Sequence, residues 1–564
     1  MGSDLNHVRS SIDDSTISPI ACPPINERLS PTSMVHPANR ISSSFLGVTI
    51  ATAVSYGLIY VKYQLIAFYF GAGAMSDVFL VSHIIPYTVV QLLTHTLGTV
   101  LVPVYTELRL RKGNSHARAY IANLCNITGA FTLLLTLLVL VAAPLLISML
   151  APGLESGERS TAILLTRIMI PSIVFNGIVT VLFGFLNAGK RFVIRQLIVV
   201  ANGLAIVLLI IVLQNSMGIM APAAAIVGAS VLQLAVAVLT THRAQFCFQR
   251  VFNLREAGFS RTLKLSSVVA LGTLFGYLSP VVDRVIASHL PAGSLSCLEY
   301  GVMTSKAIAF VIVVPLSTIL LTSFADLFQR GETGEMLQLM GRSMTCLSYI
   351  VYPVSAGLLF LSEPVVAILF ERGAFDAQDT QRTVMTLRYY SVWLFFTGLD
   401  VVASRVFYAM QKVKVPIVVG MVGMGTKVIF SFILVRHLAH AGLALATALG
   451  SIVKPMIFLV LMSFLFSDFK LTPLVGRHLR IGANSLIAAF CATGVFFRVL
   501  PMLFEGSSTE AKAGMLMVSA LVGSCVYFFM SWLTRTREQV FLWNTLRHLR
   551  SGTLQASPEG GTPC

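Results

Sequence analysis

YIANLCNITGAFTLLLTLLVLVAAPLLISML, residues 120–150, contains no Asp, Glu, Lys or Arg. An uncharged apolar run of more than about 20 residues is what a helix needs to cross a bilayer. Similar runs recur on both sides of it, from residue 46 to residue 533. About fourteen are expected: 46–70, 77–103, 120–150, 161–188, 193–213, 218–241, 263–289, 297–325, 344–370, 384–411, 415–436, 441–466, 481–500 and 513–533. The chain therefore reads as an all-α polytopic membrane protein, because the bilayer leaves no other way to satisfy backbone polar groups in such segments.

Composition agrees. Of 564 residues, 55% are hydrophobic and only 11% charged, and mean hydropathy is +0.81. A soluble domain carries about 25% charged residues, so a water-soluble enzyme of this size is excluded. Residues 1–45, rich in Ser and Pro and without a signal-peptide pattern, read as a disordered tail. Residues 534–564 form a second tail. Its first part, Arg535–Arg550, mixes cationic and apolar residues and could lie on an anionic leaflet. The eight cysteines form no CxxC pair, so no metal site or disulfide framework is expected.

The net charge of +16 would suggest nucleic acid in a soluble protein. Here the cations sit in short loops. With the N-terminus in the cytoplasm, 26 of the 40 Lys and Arg fall on the cytoplasmic side and 6 on the other. That bias places both termini in the cytoplasm.

The two halves match at a shift of about 220 residues. Ile66, Ala67, Gly73 and Ser76 correspond to Ile286, Ala287, Gly293 and Ser296, and Gly153 to Gly373. Six spans separate the copies, so both point the same way. The expected architecture is two parallel six-helix lobes, 46–241 and 263–466, around a central cleft, with two extra C-terminal helices at 481–533.

Charges inside spans are costly, about 2.5–3.5 kcal/mol each on insertion scales, and mark function or pairing. Lys62 lies in the first span and Lys306 in the eighth, the first-span and second-span regions of the two repeats, so both could face the cleft. Their ammonium groups suit a pyrophosphate, acting as point charges on phosphate oxygens. Arg167, Arg284 and Arg388 could snorkel at helix ends. Asp283 and Arg284 could form a local ion pair. Lys427 and Lys454 could pair with Asp400. No catalytic or nucleotide-binding motif is present, so a transporter driven by an ion gradient, the membrane potential or the substrate gradient is expected, without a cofactor.

Several stretches resemble the MurJ (MviN) lipid II flippase family of the multidrug/oligosaccharidyl-lipid/polysaccharide exporter superfamily. They are FGAGAMSDVFLVSHIIP (70–86), APGL (151–154), PSIVFNGIVTVLFGFLNAGKRF (171–192), DRVIASHLPAGSLSCLEY (283–300), ILFERGAFD (368–376) and SRVFYAMQKVKVP (404–416). The resemblance implies an inner-membrane flippase with a cationic cleft for a polyprenyl-pyrophosphate-linked saccharide, by default lipid II. It carries over Asp77 and Arg405, which join Lys62, Arg284 and Lys306 as the candidate cleft residues. The sequence departs from the family pattern at Tyr56, across Pro86–Gln91, where two arginines are missing, and at Lys306, which replaces an acid. These departures leave open another lipid-linked oligosaccharide, such as an exopolysaccharide or O-antigen repeat unit. A cation-coupled drug exporter, a membrane-embedded glycosyltransferase and a transport-inactive scaffold are weaker readings.

Overall fold

The computed structural model describes residues 37–536 and 539, apart from 245, 247, 468 and 504–508, with side chains from residue 47 onward except at 272, 275, 314, 315, 318 and 503. Of the tails expected at 1–45 and 534–564, residues 1–36 and 540–564 lie outside the described residues, as does most of the Arg535–Arg550 stretch. The first helix starts at Pro37, inside the segment read as a tail.

All regular structure among the described residues is helical. The N-terminal half holds α1 (Pro37–Phe70), α2 (Ala74–Leu150), α3 (Ser156–Met169), α4 (Ser172–Ala188), α5 (Phe192–Met217) and α6 (Met220–Arg243). The C-terminal half holds α7 (Ala257–Ala287), α8 (Ser294–Gln329), α9 (Thr333–Phe360), α10 (Ser362–Phe370), α11 (Ala377–Ala409) and α12 (Lys414–Leu465). There follow α13 (Leu471–Gly494), a π-helical turn at Val495–Val499, α14 (Leu500–Leu503) and α15 (Thr509–Leu533). Among the described residues, eleven helices are long and apolar enough to cross a membrane, or twelve if the bent pair Ala257–Leu271 and Gly276–Ala287 is one span. This is a multi-pass membrane protein.

Two of those helices fold back on themselves. In α2 the backbone leaves helical geometry at Gly113, with φ 87° and ψ 170°. Before that point, Thr94 bonds Thr180 and Tyr105 meets Phe185 on α4. Beyond it the order inverts: Thr132 packs on Gly177, and Val139 shares a cluster with Ile173. One half of α2 runs parallel to α4 and the other antiparallel. In α12 the break is at Ala439, φ 47° and ψ −131°. Its two halves pack so closely that a Cβ on Gly450 would meet the Gly423 carbonyl at 2.7 Å. With both reversals counted, the expected spans fall on helical segments, 161–188 across α3 and α4, 344–370 across α9 and α10, and 481–500 running from α13 through the π-helical turn.

The repeat is visible in the backbone. Lys190 and Gln411, 221 residues apart, both turn through positive φ, 57° and 59°. Gly218 and Ala439, again 221 apart, share ψ −131° at φ 53° and 47°. Such φ values suit glycine and strain alanine, so the C-terminal copy keeps the turn without the residue that makes it easy.

The buried apolar clusters show how the lobes meet. One cluster draws on both halves, joining Ile66, Phe79 and Ala151 with Ile286, Tyr300 and Phe370. It lies at the end that carries the α1–α2 and α7–α8 turns. Toward the opposite end the packing separates into a cluster on the first lobe, around Leu101, Tyr120 and Phe185, and one on the second, around Phe324, Met340 and Phe407. The C-terminal pair α13 and α15 leans on α9, where the Tyr527 hydroxyl donates to the Tyr349 carbonyl at 2.9 Å.

Candidate functional site

The seam at the joined end is built from helix termini. Asp77, in the first turn of α2, reaches across to the start of α8. Its Oδ2 accepts the Gly293 N–H at 2.8 Å, and its Oδ1 accepts the Ser296 N–H at 2.7 Å and the Ser296 hydroxyl at 2.6 Å. Carboxylates are favourable at helix N-termini because unpaired N–H groups and the helix dipole converge there. The second lobe reciprocates. Asp379 Oδ2 accepts the Ala72 N–H at 2.8 Å, the Ala374 N–H donates to the Phe68 carbonyl at 2.8 Å, and the Tyr300 hydroxyl donates to the Gly71 carbonyl at 3.1 Å. Backbones touch here, so only glycine fits: a Cβ on Gly293 would sit 1.9 Å from the Ala72 carbonyl oxygen. Asp77 is thus wholly engaged in holding the lobes together.

Below this seam lies a buried charged centre. Arg284, 5% exposed, does not snorkel as its place near a helix end suggested. Its Nε donates to the Leu80 carbonyl of the other lobe at 3.2 Å, its Nη1 to the Pro280 carbonyl at 3.0 Å, and its Nη2 pairs with Glu299 at 3.4 Å. The ion pair expected between neighbours Asp283 and Arg284 is replaced by this one. Asp283 instead pairs with Lys427 at 2.7 Å, and the same ammonium donates to Ser279 Oγ at 2.5 Å. Lys454 pairs with Asp400 at 2.6 Å, as expected. Consecutive residues on a helix point about 100° apart, so Asp283 and Arg284 address different neighbours.

Lys62 and Lys306 have no carboxylate within salt-bridge distance among the described residues. Both stand within electrostatic reach of Glu299, and Lys306 also of Arg284, Lys427 and Asp283. Lys62, 8% exposed, lies over the Tyr63 ring at 4.4 Å to its centroid. The centre therefore gathers Lys62, Arg284, Lys306 and Lys427 against Asp283 and Glu299. With all groups ionised, two positive charges are uncompensated. A buried charge without a partner is strongly destabilising, which makes this centre receptive to an anion.

Two hollows adjoin the centre. One of about 220 Å3 is lined by Arg284, Glu299, Lys306, Tyr390 and Lys427. A larger one of about 550 Å3 runs between α7, α11 and α12 past Tyr277, Trp393, Tyr408, Lys427 and Lys454, with His95 of α2 at its edge. Both hollows are lined mainly by second-lobe residues. Between α1 and α8 the lobes are in contact, with Tyr56 stacked on Phe310 at 4.1 Å and the Tyr60 hydroxyl 3.2 Å from Thr304 Oγ1.

The five candidate residues fall into three places. Lys62, Arg284 and Lys306 share the centre. Asp77 belongs to the seam. Arg405 lies four residues before the end of α11, 6.0 Å from the Tyr408 ring centroid. Glu299 and Asp379 were not singled out for these roles; the N-cap spacing Asp376–Asp379 is the sequence signal that points to the latter, Asp376 accepting the Asp379 N–H at 2.9 Å.

Duplicated helical lobes, joined at one end and enclosing a buried charged centre, define a membrane transporter rather than an enzyme. The family model described as "Lipid II flippase MurJ" matches residues 66–508. The "Probable lipid II flippase MurJ" of Buchnera aphidicola subsp. Acyrthosiphon pisum is 25% identical over 465 residues, covering 81% of this chain and 90% of that protein. The "Lipid II flippase MurJ" of Burkholderia cenocepacia is 25% identical over 402 residues, 70% of this chain and 78% of its own. Among solved structures, a lipid II flippase MurJ in an inward closed conformation superposes with TM-score 0.73 at 22% identity, covering 86% of this chain and 98% of that one. An inward-facing MATE-family transporter of the MOP superfamily gives 0.58 at 14%, covering 78% and 98%. The chain belongs to the lipid II flippase MurJ family.

Proposed function

We propose that this protein flips a polyprenyl-pyrophosphate-linked saccharide, by default lipid II, from the cytoplasmic to the periplasmic leaflet of a bacterial inner membrane. The observation that carries the proposal is the pair of uncompensated lysines, Lys62 and Lys306, beside Arg284 and Glu299. A pyrophosphate supplies the missing negative charge. The Asp77 seam is then the periplasmic gate in its closed state, with both termini and the Gly113 reversal on the cytoplasmic side. Fourteen crossings follow if each half of α2 and α12 spans the bilayer. Lobes 46–241 and 263–466 rock about the seam, and 481–533 adds two helices. An ion gradient or the membrane potential drives the cycle.

A second reading keeps the mechanism and changes the cargo to another polyprenyl-linked glycan. It is favoured by Tyr56, Val90 and Gln91, which stand where the family pattern carries arginines. The test is depletion of the protein, followed by identification of the lipid-linked intermediate that accumulates. Lipid II accumulation supports the first reading, and a different polyprenyl glycan supports the second. Accumulation of neither rejects both.

A further inference from the structure

Three arginines from separate segments converge on one small hollow of the first lobe: Arg109, Arg118 and Arg191. It lies at the end where α2 reverses and has a volume of about 210 Å3. Its floor is aromatic, with Tyr105 and Phe185 edge to face at 5.8 Å, and Gly189 forms part of the rim. No Asp or Glu lines it. Among the described residues, none of the three arginines has a carboxylate partner, and the nearby Glu107 is already engaged by Arg111 and Arg261. Arg109 alone is held by a side chain, its Nε donating to Asn114 Oδ1 at 2.8 Å. A fourth arginine, Arg195, lies 5.3 Å from the Phe183 ring centroid and buries an Nε with no hydrogen-bond partner.

Loop cations on the cytoplasmic side need no special role. That rule does not bring three guanidinium groups, those of exposed Arg109 and Arg191 and half-buried Arg118, around one hollow without a counter-charge. The internal repeat provides a comparison. Gly113 and Gly331 occupy equivalent turns, both at positive φ, 87° and 77°. At the repeat shift of 220 residues, which matches the buried positions of α2 beyond its reversal to those of α9, Arg109 and Arg118 correspond to Gln329 and Gln338, both exposed and uncharged. The second lobe therefore builds the equivalent turn without these two arginines, so the scaffold does not require them there.

We propose that this arginine-rimmed cup binds a phosphate group. Guanidinium forks match the oxygens of a phosphate and hold it through paired, charge-assisted hydrogen bonds. The cup lies at a bundle end, where lipid headgroups and soluble anions both have access. An anionic phospholipid headgroup and free pyrophosphate present the same chemistry, so the test separates them.

The purified full-length protein is titrated in detergent with dioleoyl phosphatidylglycerol, with dioleoyl phosphatidylcholine and with inorganic pyrophosphate. The variants are Arg118→Gln/Arg191→Gln, Ala244→Leu, which narrows the cup while keeping its arginines, and Arg111→Ala as an outside control. Phosphatidylglycerol is expected to bind the wild type and Arg111→Ala alike, and both cup variants about tenfold more weakly. The same pattern with pyrophosphate alone also supports a phosphate site and assigns it to a soluble anion. Equal affinities across all four proteins, or a loss in Arg111→Ala as large as in the cup variants, overturns the proposal. Thermal unfolding of each variant confirms that it is folded, and Ala244→Leu decides the matter if the double substitution is not.

Discussion

Asp77 of one lobe holds both the backbone N–H and the hydroxyl of Ser296 of the other, at 2.7 and 2.6 Å. The bond pair crosses the internal duplication, since Ser296 is the repeat partner of Ser76, the residue just before Asp77. Hydrogen bonds to a charged group contribute about 1.5–3 kcal/mol each. Asp77→Asn removes the charge and leaves one acceptor oxygen, so the seam opens more often. A cysteine placed at Ala292 in that variant is expected to react several-fold faster with a membrane-impermeant maleimide added from outside. Unchanged labelling would remove Asp77 from the gate.

Lys62 and Lys306 face the opposite test. Lys62 is buried and Lys306 half-buried, neither with a salt-bridge partner among the described residues, so the loss of either relieves electrostatic repulsion. Lys62→Met and Lys306→Met are expected to unfold at the same or a higher temperature than the wild type while failing to support growth of a strain that depends on the protein. A fall in unfolding temperature with growth intact would mark them as structural.

The Asp283–Lys427 pair behaves as a unit. Removing one member leaves an unpaired buried charge and costs about 3–5 kcal/mol. Asp283→Asn alone and Lys427→Met alone are each expected to lower the unfolding temperature markedly. The double variant recovers most of the loss, a non-additivity that contact between the two requires. Strictly additive losses would contradict the 2.7 Å pairing.

Ala439 adopts φ 47° and ψ −131°, where its repeat partner is Gly218. Ala439→Gly is expected to stabilise the α12 reversal by about 1 kcal/mol, and Gly218→Ala to destabilise by a comparable amount, since strained backbone costs about 1–3 kcal/mol per residue. Thermal unfolding in detergent reads both, and a destabilised Ala439→Gly would contradict the assigned turn.

Much of the architecture was legible because the bilayer permits so few solutions. Apolar runs longer than about 20 residues could only be helices, and a constant offset between halves could only be duplication. The pairings inside the membrane were harder. Lys454 and Asp400 found each other as read, but Asp283 turned to Lys427 and Arg284 to Glu299, because rotation along α7 decides which neighbour each meets. Asp77 was legible as important but not as a seam residue: its partners are backbone N–H groups, which carry no residue-type signal. The hollow on the second-lobe side depends on how α7, α11 and α12 splay, a packing property that no single segment encodes. Lys62 and Lys306 stood out from sequence alone because a lysine has few reasons to lie deep in a span.

The surplus charge at the centre also bears on restraint. An unloaded carrier of this design keeps an electrostatic tension that only a suitable passenger relieves. Turning over empty would carry that tension through the lipid, whereas turning over loaded would not. In the proposed cycle cargo thereby serves as the counter-ion for each stroke, and the two ammonium groups that would recruit the load also discourage idle cycling.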